Sequence, residues 1–144
     1  MAKPELKILI GLHRAVNRID RQSARIFSEY DLTTGQFAVL EALYHKGELT
    51  VGQVQEKILS SSGTIPVIVN NLEKRGLLTR LADPGDRRRC LLRITPAGEG
   101  LMEQAYPRNE EMIVAQMALW TPEEQEQLVT LLKKFGDDTN GTNR

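Results

Sequence analysis

The chain has 144 residues, which is one domain's worth of sequence and enough to build a core without disulfides. Its hydrophobic fraction of 40% and charged fraction of 26% are ordinary for a globular protein and exclude wholesale disorder. The single cysteine, Cys90, excludes an internal disulfide framework and a cysteine-based zinc site. The apolar run at residues 8–12 is too short to span a bilayer and lacks a cleavage site, so we expect a cytoplasmic protein.

The net charge is zero, but the charges are distributed unevenly along the chain. Residues 74–93 carry seven basic and two acidic side chains, an excess of five positive charges. Residues 97–144 carry four basic and nine acidic side chains, an excess of five negative charges. A basic cluster of this kind is often only a solvated face. The same cluster indicates an anionic partner when the elements that precede it form a known DNA-binding arrangement.

An apolar seam in steps of three and four residues predicts a long first helix. The members of the seam are Leu9, Leu12, Val16, Ile19, Ser23, Ile26 and Tyr30. Residues 31–33 break the pattern and end the helix. Because the seam is too apolar to face water, we expect it to pack against the same chain or against a second copy.

Three short helices follow the first one. The segments Thr33–Gln36 and Thr50–Gln53 each have the pattern of a capping box, which begins a helix. Gly47 ends the first of these helices, and Gly76 is placed as a left-handed cap at the end of the third. The third helix is predicted to be buried through Ile65, Val69 and Leu72.

The hydrophobic period then changes from helical to extended. Residues 77–82 and 90–95 predict two strands that flank a turn at residues 83–86. Thr95 and Pro96 begin another helix, which we expect to kink or restart at Pro107.

The last helix begins at a capping box, Thr121–Glu124. The order of elements predicts a mainly α-helical winged helix-turn-helix with a small β-hairpin wing. We expect one domain over residues 1–136 and a flexible tail over 137–144. Within the domain, residues 1–30 form a dimerisation helix, 31–96 the winged helix-turn-helix, and 97–136 further dimerisation helices.

Four blocks of sequence resemble the MarR family of bacterial transcriptional regulators. They are Ser62–Ile65, Asn71–Leu77, Asp83–Arg88 and Leu92–Gly98, and the order of elements matches that family over residues 5–136. The resemblance implies a homodimer that binds double-stranded DNA at a pseudo-palindromic operator, associated with the nucleoid. It further implies a repressor, released by a small phenolic or quinone-type ligand or by an oxidant, with no cofactor and no enzymatic activity.

The resemblance also indicates which residues of the hairpin contact DNA. Asp86 and Arg88 match the Asp-x-Arg of the family's wing tip, where the arginine enters the minor groove and the aspartate holds its guanidinium. A narrow minor groove has an enhanced negative potential, which favours an arginine held in place. Arg87 and Arg89 are expected to contact phosphates on either side. The alternative is that all four are solvated hairpin residues.

The third short helix is the expected recognition helix. Pro66 and Val67 stand where many relatives carry a hydroxyl followed by a basic or aromatic residue, so direct base readout is expected to be limited. Val67 either touches a thymine methyl group or packs against the preceding helix. Lys74 and Arg75 are phosphate contacts or helix-end charges. The remaining expected contacts are Ser61, Ser62, Thr64, Asn70 and Asn71.

Two further hypotheses concern effectors. Cys90 is either a redox-sensing thiol or a small buried hydrophobe, and we favour the second. A crevice between the dimer body and the DNA-binding lobe is the expected ligand pocket. Its candidate lining residues are His13, Arg14, Phe37, Tyr44, Met112 and Trp120. The alternative for each of these residues is ordinary packing.

Two other classes of function remain open from the sequence. A winged-helix interaction module without specific DNA binding would fit the zero net charge and the Pro66–Val67 departure. A small enzyme has little support, because the chain carries no phosphate-binding glycine loop and no triad order. The two histidines, His13 and His45, lack the spacing of metal ligands.

Overall fold

A computed structural model describes residues 3–58 and 64–136 of the chain. As predicted, it is mainly α-helical with a small antiparallel sheet. The elements are α1 (Pro4–Glu29), α2 (Thr34–Lys46), β1 (Leu49–Thr50), α3 (Val51–Ile58), α4 (Ile65–Lys74), β2 (Leu78–Ala82), β3 (Cys90–Ile94), α5 (Pro96–Met117), α6 (Pro122–Leu132) and a final 3-10 turn (Lys133–Phe135). The expected tail at 137–144 lies outside the described residues, and the division into dimerisation and DNA-binding segments stays a prediction.

The predicted helix boundaries are confirmed by their capping hydrogen bonds. The Thr33 hydroxyl accepts from the Gln36 N–H at 3.1 Å, while the Gln36 side chain accepts from the Thr33 N–H at 3.0 Å. The same reciprocal pairs form at Thr50–Gln53 and at Thr121–Glu124. These bonds satisfy N–H groups that a helix leaves without partners in its first turn, so each short helix begins at a defined residue.

The sheet has three strands rather than the two of the predicted hairpin. Their order is β1-β3-β2, with antiparallel pairing throughout. Leu49 of β1 pairs with Leu92 of β3, and Leu78 of β2 pairs with Ile94. The sequence did not predict β1 because two residues are too few to show an alternating pattern.

Helix α5 is continuous through Pro107, so the predicted kink or restart there is wrong. Proline removes one backbone N–H, and the ring crowds the preceding turn, but its φ is compatible with a helix. Pro107 and Glu103, the residue whose carbonyl loses its usual partner, are both exposed. Water can therefore satisfy that carbonyl, and the helix continues.

The core lies where α2, α4, the sheet and the first half of α5 meet. Leu40 of α2, Leu72 of α4, Leu92 of β3 and Met102 of α5 are all fully buried and belong to one cluster. Three buried side chains of α4 (Ile65, Val69 and Leu72) confirm the predicted inner face of that helix. The hydrophobic effect therefore holds α4 against the protein along one side only.

The second half of α1 packs on the rest of the chain. The buried Ser23 hydroxyl donates to Oδ1 of Asn109 in α5 at 2.8 Å, so the one polar member of the predicted seam is satisfied. Phe27 stacks on Phe37 of α2 with ring centroids 3.9 Å apart. These contacts join α1 to α5 and to the first helix of the winged-helix segment.

The first half of α1 and the last helix leave apolar side chains exposed. Leu9 and Val16, two members of the predicted seam, are 51% and 52% exposed in the single chain. The other large exposed apolar residues near the ends are Leu6, Ile8, Ile10, Val114, Leu119, Val129, Leu131, Leu132 and Phe135. These side chains leave apolar surface exposed near both ends of the described chain.

Gly98 allows the first turn of α5 to lie directly against the sheet. A Cβ atom at this position would be 2.2 Å from the carbonyl oxygen of Leu77 and 2.7 Å from Cγ1 of Ile94. The first contact is with backbone, which cannot move aside as a flexible side chain would. The close approach of α5 to the wing strands therefore depends on the absence of a side chain at this position.

We predict that Gly98→Ala lowers the free energy of unfolding by about 1–3 kcal/mol, because the new methyl group overlaps the Leu77 carbonyl. Gly100→Ala is the matched control in the same helix. Its Cβ would meet nothing within 4 Å, so it should raise the free energy of unfolding by about 0.5–1 kcal/mol. Urea denaturation at a fixed protein concentration measures both. Equal effects of the two substitutions would contradict the packing described here.

Candidate DNA-binding surface

Helix α4 presents a polar face to solvent opposite its buried face. The exposed residues of this helix are Pro66, Val67, Asn70, Asn71, Glu73 and Lys74. Thr64, which precedes the helix, is exposed as well. The predicted contacts Ser61 and Ser62 lie outside the described residues. The arrangement gives α4 a surface of short hydrogen-bonding groups, as a helix that reads a DNA groove requires.

Pro66 and Val67 occupy the first turn of this exposed face. Pro66 is the second residue of α4, where the N–H that proline lacks is not needed by the helix. Val67 is 57% exposed, so more than half of its surface faces solvent. Its side chain is available for apolar contact.

Asn70 is joined to the wing by an arginine that the sequence predicted only as part of a basic cluster. The guanidinium of Arg80, on β2, donates to Oδ1 of Asn70, and its Nε lies 3.3 Å from a carboxylate oxygen of Glu73. One of the two acceptor positions of the Asn70 oxygen is therefore taken, and its NH₂ group remains as a donor. The same contacts attach α4 to the wing strands.

Arg75, at the end of α4, is directed at the corner between α1 and α2. Its Nη1 donates to the carbonyl oxygen of Asp31 at 2.6 Å, and its Nη2 donates to that of Tyr30 at 3.5 Å. The prediction of a phosphate contact at Arg75 does not fit this orientation. These hydrogen bonds could not be predicted from the sequence, because the acceptor carbonyls lie more than 40 residues earlier in the chain.

The loop between β2 and β3 is shaped by two aspartates. Oδ1 of Asp83 accepts from the Gly85 N–H, and Oδ1 of Asp86 accepts from the Arg88 N–H, both at 2.9 Å. Nε of Arg89 lies 3.6 Å from a carboxylate oxygen of each aspartate. In the described part of the chain the Asp86 carboxylate makes no hydrogen bond or ion pair with the guanidinium of Arg88, so the expected grip stays a prediction for the DNA complex. Asp86 contacts the backbone of Arg88 and pairs with the side chain of Arg89.

These pairs reduce the basic cluster to a few exposed cations. Arg93 pairs with Glu48, and Arg80 and Arg89 pair with the carboxylates given above. Of the seven basic side chains between residues 74 and 93, only Lys74, Arg87 and Arg88 have no hydrogen-bond or ion-pair partner in the described part of the chain. They lie at the end of α4 and at the wing tip. Among the described residues of this region, the cations without a partner are therefore one at the end of α4 and two in the wing loop.

Cys90 is exposed, so the favoured interpretation of a buried hydrophobe is wrong. It is the first residue of β3 and pairs with Ala82, the last residue of β2, which is exposed as well. The burial of the strand face begins two residues later, at Leu92. The thiol therefore sits at the tip of the wing, beyond the core.

The six candidate pocket residues do not form one lining in the single chain. Phe37 is 4% exposed and stacks on Phe27, so it belongs to the core and its assignment to the pocket is wrong. Tyr44 and Met112 are partly buried against the core, Trp120 is half-buried, and His13 and Arg14 are exposed on α1. Two shallow surface depressions lie on α6, and neither includes any of the six residues.

A cluster of titratable side chains that the sequence did not predict lies where α2 meets α5. The rings of His45 and Tyr106 are edge-to-face, with centroids 4.9 Å apart. Burial raises the pKa of the Glu41 carboxyl above its usual range, while the nearby His45 lowers it in part. Burial, with the carboxylates of Glu110 and Glu41, raises the pKa of the Tyr106 hydroxyl. Charged and polar groups thus collect at the joint between the winged-helix segment and α5.

Within residues 3–58 and 64–136, no three histidine, cysteine or acidic side chains come close enough to hold a metal ion. No helix in these two ranges is long and apolar enough to cross a membrane.

Comparison with known proteins agrees with this architecture. The MarR family model matches residues 30–89. The HTH-type transcriptional regulator MhqR of Bacillus subtilis is 37% identical over 136 residues, which cover 94% of each chain. BpsR of Bordetella bronchiseptica, in a structure titled for the regulation of its DNA binding by 6-hydroxynicotinic acid, is 28% identical with a TM-score of 0.83, covering 96% of this chain and 99% of its own.

A cysteine variant of Escherichia coli MarR, solved in complex with operator DNA, has a TM-score of 0.81 at 25% identity and covers 92% of this chain and 94% of its own. The agreement extends over the sequence, the order of elements and the overall fold, and it excludes an enzyme. The chain belongs to the MarR family of transcriptional regulators.

Proposed function

We propose that this protein acts as a homodimer that represses transcription by binding a pseudo-palindromic operator, and that a small effector releases it. The exposed face of α4 enters the major groove, and the wing reaches the adjacent backbone or minor groove. Its location is the cytoplasm, at the nucleoid, because that is where its DNA partner is.

The observation that carries this proposal is that three exposed cations without a partner in the described chain lie at the end of α4 and in the wing loop. Lys74 follows the exposed polar face at the end of the helix, and Arg87 and Arg88 lie at the wing tip. Phosphate contacts supply most of the affinity of such proteins and set their position on the duplex. Because the other arginines of the region have partners within the protein, these three carry the electrostatic attraction.

Base readout through α4 is limited in this proposal. Asn71 and the amide group of Asn70 donate to phosphates or base edges, and Thr64 contributes a hydroxyl. Ser61 and Ser62 are assigned the same role by their place in the family pattern. Val67 is apolar and exposed, so it contacts a thymine methyl group but cannot bind guanine in a bidentate way. Selectivity then depends more on the wing and on DNA shape.

The effector is proposed to be a small phenolic or quinone-type compound or an oxidant. The related BpsR is regulated by 6-hydroxynicotinic acid, a small hydroxylated aromatic acid. The candidate ligand contacts are His13, Arg14, Tyr44, Met112 and Trp120, now without Phe37. A ligand at this place releases DNA only to the extent that it binds the DNA-incompetent arrangement more tightly. An oxidant would act on Cys90, whose thiol is exposed.

The second copy is proposed to cover the exposed apolar faces of α1 and α6. Large apolar side chains on both helices are exposed in the single chain, and burying them is favourable by roughly 25 cal/mol per Å². In a twofold symmetric pair, one axis relates the two α4 helices and the two wings, and a palindromic site has the same symmetry.

We predict that the wild-type protein sediments as a dimer at micromolar concentration and that Leu9→Glu shifts it toward the monomer, because an unpaired charge is costly at an apolar interface. Val67→Glu is the matched control. Val67 is as exposed as Leu9 but lies on α4, so this variant should remain a dimer. Sedimentation velocity distinguishes the two. A wild-type monomer, or a Leu9→Glu dimer as stable as the wild type, would argue against the proposed interface.

We predict that Arg88→Ala weakens operator binding by about 1–3 kcal/mol, since its guanidinium is exposed at the wing tip without a partner in the described chain. Arg18→Ala, which removes one exposed arginine from α1, is the charge-matched control and should bind as the wild type does. Fluorescence anisotropy with labelled operator measures both. Wild-type affinity in the Arg88 variant would refute the role given to the wing.

A further inference from the structure

We propose that Arg75 is a positioning residue that ties the DNA-reading helix α4 to the corner between α1 and α2, and so sets the orientation of α4 on the dimer body. The inference rests on the proposed function, since it concerns how the DNA-binding helix is held. It replaces the phosphate contact that the sequence suggested for this residue.

The contact itself is specific in geometry. The guanidinium of Arg75 reaches two successive carbonyl oxygens, those of Tyr30 and Asp31, through two different nitrogens. The guanidinium is a planar fork of donors, which matches two adjacent acceptors. A lysine ammonium lacks this fixed geometry. The carbonyls follow the end of α1, where the helix dipole and unpaired C=O groups favour a cation.

The corner that Arg75 contacts is itself defined. Asp31 has φ of +57°, and it is the one residue other than glycine with positive φ in the described part of the chain. An aspartate tolerates this left-handed conformation better than most residues. The Leu32 N–H donates to the Phe27 carbonyl at 2.9 Å, and the Leu32 side chain is buried. Arg75 therefore contacts a fixed point rather than a loosely held loop.

The corner is in turn attached to α5. Arg108 of α5 pairs with Glu29 at 2.5 Å, next to the corner, and the buried Ser23–Asn109 hydrogen bond lies less than two turns earlier in α1. A change in the relation of α1 to α5 would therefore move the point to which Arg75 is bound. Arg75 transmits that movement to the C-terminal end of α4.

The neighbouring residue provides a matched control. Lys74 has the same charge, lies one position earlier and has no side-chain partner in the described part of the chain. A residue that contacts a phosphate displaces a counterion from the DNA. Its loss therefore makes the negative slope of log K against log salt concentration shallower by about 0.9. A residue that only positions the helix changes the affinity but not that slope.

The first test compares Arg75→Gln, Arg75→Lys and Lys74→Gln by operator binding over a salt series. We expect both Arg75 variants to bind about tenfold more weakly with the wild-type slope, because both lose the fork of charged hydrogen bonds to the corner. Lys74→Gln should make the slope shallower by about 0.9. A slope that is shallower by the same amount in Arg75→Gln, or wild-type affinity in Arg75→Lys, would overturn the proposal.

The second test requires no DNA and is therefore independent of the proposed function. Spin labels are placed at Val67→Cys on α4 and Glu103→Cys on α5, with Cys90 replaced by serine, and the labelled chain is diluted into unlabelled protein. We expect Arg75→Gln and Arg75→Lys to broaden or shift the distance distribution from pulsed electron resonance, and Lys74→Gln to leave it unchanged. A purely stabilising role would lower the melting temperature without changing the distribution of the folded protein.

The two tests separate the possible failures. If the wild type does not distinguish operator from scrambled DNA, the proposed function fails while the distance measurement still tests Arg75. If the distance distribution of both folded Arg75 variants equals that of the wild type, the positioning role is overturned whatever the DNA binding shows. Circular dichroism confirms that the variants compared are folded.

Discussion

The burial of one face of α4 is the constraint on which the rest of this structure depends. Ile65, Val69 and Leu72 are fully buried, and they hold the helix against α2 and the sheet. Because an α-helix repeats every 3.6 residues, burying this face leaves the opposite one exposed. That exposed face carries short polar groups and one valine. The same core that stabilises the domain therefore determines which side chains can reach DNA.

Arginine has two different tasks in this region. Arg75, Arg80, Arg89 and Arg93 bind carbonyls or side chains of the protein, and they hold α4, the wing strands and the wing loop in relation to one another. Exposed ion pairs of this kind contribute little to stability singly. Their contribution here is geometric: Arg75 and Arg93 join segments more than 40 residues apart, Arg80 joins α4 to β2, and Arg89 holds the wing loop. The net charge of zero is compatible with DNA binding, because Lys74, Arg87 and Arg88 remain outside these pairs. The zero net charge is therefore no longer an argument for an interaction module.

The features that could be predicted from the sequence are those with local causes. The capping boxes, such as Thr33–Gln36, need only residues within one turn, and the buried stripe of α4 follows from its period. The missed features depend on partners far away in the chain. Arg75 binds carbonyls 44 and 45 residues earlier, and the exposure of Cys90 depends on where the core ends rather than on its strand face. The sequence pattern therefore predicted the fold and the DNA-binding elements better than the roles of individual arginines.

The proposed function depends above all on recognition of a particular DNA sequence by the exposed face of α4 and the wing together. The most direct measurement is fluorescence anisotropy of the wild-type protein with DNA from upstream of its own coding region, over a salt series, beside a scrambled duplex of the same composition. We expect tighter binding to the upstream DNA, with an affinity that falls steeply as the salt concentration rises. Equally weak binding to both duplexes would contradict it.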